Sequence, residues 1–130
     1  MKKVCYRFIA VLVVLSGLSF SGCVPLMAGA AVGAGAVAYV QGVLHKNYDE
    51  PIKKLHQAVM DALKEGGQFV NEDTLNVQDS KTTGEFFDGQ KFTITLNSLT
   101  EKATKLSIRV GMFGNKSRSL ELLNNIEEHL

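Results

Sequence analysis

After Arg7, every Asp, Glu, Lys and Arg except Lys46 lies in the 83 residues from Tyr48 to Leu130. Only there can charged and apolar positions be sorted onto opposite faces, so a water-facing core has to be built from that stretch. Its length allows one modest core, near the small end of what folds unaided. Ile52, Leu55, Val59 and Leu63 follow helical spacing. Asp49 is suited to cap that helix, Pro51 fits its first turn, and Gly66-Gly67 ends it. Alternation then takes over. Residues 69–77 and 80–87 read as strands, the first disturbed by Asn71 and Asp73. Asp88-Gly89 suits a tight hairpin turn, after which Phe92, Ile94 and Leu96, then Leu106, Ile108 and Val110, alternate with polar residues. A last helix from about Ser117 carries Leu120, Leu123, Ile126 and Leu130. The expected fold is α+β: a small antiparallel four-stranded sheet with two helices on one face, in the order helix, four strands, helix.

The chain opens with the three-part layout of an export signal: MKKVCYR, the short apolar run FIAVLVVL, and a stretch of small and polar residues containing Phe20. The apolar run falls short of the roughly 20 residues that an ordinary transmembrane helix needs. Phe20-Ser21-Gly22-Cys23 resembles the lipobox of bacterial lipoproteins, with Phe20 where Leu is usual. That resemblance implies a diacylglyceryl group on the Cys23 thiol, cleavage between Gly22 and Cys23, and further acylation of the new amino terminus by a fatty acid such as palmitate. Two acyl chains suffice for stable anchoring. Val24, in place of the Asp that marks inner-membrane retention in enteric bacteria, resembles the outer-membrane class. Three regions are thus expected: a signal peptide over 1–22, a lipidated, membrane-proximal segment over 23–47, and a periplasmic domain over 48–130.

Ten of the 21 residues from Val24 to Leu44 are Gly or Ala, and none is charged. As a helix the segment would be about 32 Å long, near the bilayer's hydrocarbon thickness, although Gly lowers helix propensity. Ala30, Ala34, Ala38 and Gly42 recur every fourth residue. On a helix they would form a small-residue, glycine-zipper-like face open to close approach by a second copy or another envelope protein. A plain tether is the alternative.

Removing Lys2, Lys3 and Arg7 with the signal leaves 11 basic against 13 acidic residues, a net charge of −2. The charges are interspersed and Trp is absent, so nucleic-acid binding has no electrostatic footprint. Cys5 leaves with the signal, and Cys23 alone can form neither an intrachain disulfide nor a paired-Cys metal site. His45, His56 and His129 lack paired-ligand spacing, and His56 is expected at the surface. No metal or cofactor site is expected. Gly111 to Ser117 (GMFGNKS) lies between strand and helix but misses the spacing of a phosphate-binding loop. Arg109 falls on a polar strand face, with Glu85 the expected cross-strand partner, and Glu127-Glu128 reads as a solvated face. No serine sits in a nucleophile elbow.

The Tyr-containing Gly/Ala segment, the amphipathic helix after it, the Asp-Gly hairpin and the run Ser107-Ile108-Arg109-Val110-Gly111-Met112-Phe113-Gly114 together resemble the domain-of-unknown-function 3568 family of small bacterial lipoproteins. The resemblance covers the mature chain and implies an α+β envelope lipoprotein without an assigned activity. The expectation is therefore a non-enzymatic structural or partner-binding module, held by lipidated Cys23 on the periplasmic face of the outer membrane. The alternative is a small-ligand or lipid carrier with a groove between sheet and helices; an envelope hydrolase is remote.

Overall fold

The computed structural model describes residues 36–130. The strands are β1 (Val37–Val40), β2 (Val43–Tyr48), β3 (Phe69–Leu75), β4 (Asp79–Glu85), β5 (Lys91–Thr100) and β6 (Ala103–Val110). The helix α1 (Ile52–Glu65) connects β2 to β3, and α2 (Lys116–Glu127) follows β6. The strands form one sheet in the order β1-β2-β6-β5-β4-β3, antiparallel throughout.

The sheet thus has six strands where the sequence pattern predicts four, and the two extra ones come from the end of the Gly/Ala-rich segment and the polar residues that follow it. Residues 37–40 and 43–48 are strands, which overturns a helix reaching Leu44 and moves the start of the folded unit upstream of Tyr48. The physical cause is a two-residue turn. Val40 pairs with Val43, and Gln41 and Gly42 both have positive φ (51° and 82°). That is the geometry whose twist matches a tight hairpin. With Gln rather than Asn or Asp at its first position, the turn is easily overlooked. The second strand then lies along β6, Leu44 opposite Ile108, and Leu44 is fully buried.

One sheet face is apolar and carries both helices. Leu44, Ile94, Leu96, Leu106, Ile108 and Val110 meet Leu55, Val59 and Leu63 of α1 and Leu122, Leu123 and Ile126 of α2 in a single core. The expected stripe of α1 is buried as read, with Ala58 and Ala62 completing it. Its start differs. The cap position is Pro51, in extended conformation, whose carbonyl accepts from Lys54 and Leu55 N–H; Asp49 plays no capping role. Asn115 caps α2, its side chain accepting from the Arg118 N–H at 3.2 Å. In that helix Leu120 is only half-buried and Leu130 lies beyond the end, while Leu122 is in the core. Asn71 sits at a register shift in β3, where the polar interruption falls in the sequence. Among the described residues no helix is long and apolar enough to cross a membrane.

Candidate functional site

The register places Lys81, Thr95, Ser107 and His45 in one row across the other sheet face, and Thr83, Thr93, Arg109 and Val43 in the next. Strand alternation sends these side chains away from both helices. The face is broad and hydroxyl-rich, with Lys81, Lys105 and Arg109 supplying positive charge and Glu72, Asp79 and Glu85 negative charge. At its centre His45 Nδ1 lies 2.9 Å from Ser107 Oγ. Burial, followed by the nearby Lys105 charge, holds the His45 imidazole below its ordinary pKa. A neutral imidazole paired with a serine is also the start of a nucleophile–base couple. Here the two residues are direct cross-strand neighbours, the ordinary way in which polar groups on a sheet satisfy each other.

A second polar cluster lies between sheet and helix. The Glu127 carboxylate accepts hydrogen bonds from the Lys46 ammonium and from the Tyr48 hydroxyl, the latter at 2.7 Å. Burial pushes the Glu127 carboxyl up, but the hydrogen bonds from Lys46 and Tyr48 and the Lys46 charge prevail and hold it below the usual carboxylate range. Burial and the same carboxylate push the Tyr48 phenol well above its usual value. Glu127, expected with Glu128 on a solvated face, is therefore a paired and partly buried residue, while Glu128 is exposed. His56, expected as a plain surface residue, reaches Asp73 of β3 at 3.0 Å, and Asp73 also accepts from Thr82 at 2.7 Å. His129 lies 2.6 Å from Glu65, and hydrogen bonds to the Asn125 carbonyl and to Glu65 raise its pKa. Arg109 does not meet Glu85. It lies opposite Thr93 and Val43 and donates to the Met112 carbonyl at 2.6 Å, while Glu85 faces Lys91 at 3.8 Å.

Gly22, Cys23, Ala30 and Ala34 lie outside the described residues. Ala38 and Gly42 are described, and they do not share a helix face. Ala38 pairs with His45 across two strands, and Gly42 forms the hairpin turn against the backbone of Phe113 and Gly114. Gly111 and Gly114 both have positive φ (75° and 87°) and shape the exit from β6 toward α2. Among the described residues no group of three His, Cys, Asp or Glu side chains is placed to hold a metal ion. The contacts of Glu127 and His56 were hidden from sequence reasoning because each spans elements whose pairing the sequence does not state, whereas Arg109 turns to a carbonyl three residues on in its own chain. The alternation of Thr93, Thr95, Ser107 and Arg109 with apolar residues was the available signal for the open polar face.

The sequence model of a family described as "Protein of unknown function (DUF3568)" matches residues 7–129. No curated protein matches the chain.

Proposed function

The chain belongs to the DUF3568 family, whose function is unknown, and we propose that this member is a lipid-anchored envelope protein acting as a non-enzymatic partner-binding module. In this reading Cys23 carries the lipid, and the protein sits on the periplasmic face of the outer membrane. The observation that carries the binding role is the polar sheet face around His45, Thr95 and Ser107, which neither helix covers. An antiparallel sheet this size can leave one face to water, and a flat array of hydroxyls and charges of both signs suits polar contact with another surface. The space between sheet and helices, where a carried ligand would sit, is filled by Leu44, Leu55, Ile94, Ile108, Leu123 and Ile126, all at 2% exposure or less. That packing weighs against the carrier.

Photo-crosslinkers at Thr95 and Ser107 of the full chain test the role in intact cells, with Glu121, exposed on α2, as the control position. The expected result is one recurring envelope product from the sheet positions and none from Glu121. Equal, diffuse labelling from all three would overturn the reading. Mass spectrometry of the same protein should show an acylated amino-terminal Cys23, and Cys23→Ala should leave an unprocessed precursor. An unmodified Cys23 in a processed, soluble protein would remove the anchor.

A further inference from the structure

We propose that the end of the sheet bearing Phe87, Met112 and Phe113 is a bilayer-contact surface, resting in the headgroup region of an anionic leaflet. The inference rests on the lipid-anchor reading and adds to it which part of the folded unit meets the lipid.

Strand register brings the β1–β2 turn, the start of β3, the β4–β5 turn and the exit from β6 to one end of the sheet. Large apolar side chains collect there. Phe113 is 89% exposed, Met112 80% and Phe87 75%, with Phe69 and Val40 also open to solvent. Phe69 and Phe87 meet edge to face, with ring centroids 5.8 Å apart. Most of these residues sit on turns, so they project beyond the strand ends rather than lying along a face. Two positive-φ glycines bracket Met112 and Phe113, and Gly114 abuts the backbone of Gly42, which holds the protruding pair in place. An apolar cluster kept outward by its own backbone calls for an apolar occupant.

The charges at this end select the occupant. Lys91, Arg109, Lys116 and Arg118 stand against Glu72, Glu85 and Asp88. Arg118 is paired with Asp88 at 2.6 Å, and Lys91 lies near Glu85. Arg109 and Lys116 exceed the remaining Glu72 by one positive charge, Arg109 holding the Met112 carbonyl and Lys116 lying 6.0 Å over the Tyr39 ring. Apolar tips within a basic collar match the acyl boundary and phosphate layer of a membrane, where long cationic side chains keep their heads in the polar zone. The opposite end also exposes apolar residues, Val77, Leu99 and Leu75, but none is aromatic, and there Asp49, Glu50, Asp79 and Glu101 balance Lys53, Lys54, Lys102 and Lys105, which leaves no surplus positive charge. Twelve residues separate Cys23 from Ala36. Extended, they reach about 40 Å, longer than a strand of this sheet, so an anchor at Cys23 leaves either end free to face the bilayer.

The absence of Trp makes Phe113→Trp a single-indole reporter, with Val77→Trp as the probe for the opposite end. Each full-length variant, processed in cells and purified, is reconstituted in vesicles of phosphatidylglycerol and phosphatidylethanolamine containing acyl-brominated lipid. The Phe113→Trp protein should show blue-shifted emission quenched by the brominated chains, and the Val77→Trp protein should show neither effect. Adding Lys91→Glu and Lys116→Glu should lower the quenching, since each basic residue near an anionic leaflet favours association about five-fold. Unquenched Phe113→Trp emission in a protein whose Cys23 is lipidated would overturn the inference and leave the anchor standing. Blue-shifted but unquenched emission would overturn it too, in favour of a protein covering this end. Quenching in a protein with unmodified Cys23 would uphold the surface and remove the anchor.

Discussion

Glu127 gathers the Lys46 ammonium and the Tyr48 hydroxyl onto one carboxylate, and so ties the end of α2 to β2. A bond to a charged acceptor contributes more than a neutral one, but Glu127 is 34% exposed and solvent screens part of that gain. Tyr48→Phe should therefore cost about 1 kcal/mol at neutral pH. The pH dependence follows from the depressed carboxyl pKa of Glu127. Its contribution is complete above the ordinary value near 4.5 and is lost as pH falls through the lower folded-state value. Denaturant titrations should accordingly show the gap between wild type and Tyr48→Phe narrowing in acid. A gap unchanged by strong acid would mean that the phenol does not depend on an ionised Glu127.

At the scale of elements, the β1–β2 hairpin is locked to the β6–α2 connection through two glycines. A Cβ at Gly42 would fall 2.5 Å from the Phe113 carbonyl oxygen, and one at Gly114 would overlap the Gly42 backbone; both residues have positive φ. Gly89 also has positive φ, but a Cβ there meets nothing within 4 Å. Gly89→Ala should thus pay only the backbone penalty, about 1–2 kcal/mol. Gly42→Ala and Gly114→Ala add a backbone overlap and should each cost roughly 3 kcal/mol or more. Shifts in denaturation midpoint at constant slope measure this directly. Equal shifts for Gly42→Ala and Gly89→Ala would show that the close approach contributes nothing. At the far edge, β3 is exposed along its whole length. A bulge at Asn71 and the charges of Glu72 and Asp73 blunt it against pairing with other chains.

For the whole molecule, the pattern of charged residues places the start of the folded unit at Tyr48, and the structure places it at the first strand. A fragment of residues 48–130 would lose Leu44 from the core, lose Lys46 from Glu127 and expose the edge of β6. Burying Leu44 alone contributes about 1.5–3 kcal/mol, against a net stability of about 5–15 kcal/mol for an ordinary domain. The 48–130 fragment should fail to unfold cooperatively or should aggregate through that edge, whereas a 36–130 fragment should show a single transition in urea. A cooperative transition of equal midpoint in the shorter fragment would make the hairpin an accessory.

The sequence alone determined what depends on local periodicity. The stripe of Ile52, Leu55, Val59 and Leu63, the Asp88-Gly89 turn and the alternation of Phe92 to Leu96 and Leu106 to Val110 each follow from spacing of a few residues, which fixes a helix or strand face whatever surrounds it. The family was legible for the same reason, in short motifs that cover the chain. Tertiary structure decided the rest. Val37 to Leu44 gives only two short apolar runs interrupted by Gln41-Gly42, too little periodicity to choose between helix and strand by itself, and pairing of the second run with the edge of β6 fixed it as a hairpin. The partners of Glu127 and His56 were likewise settled by which strands and helices became neighbours, a long-range outcome that no local spacing encodes.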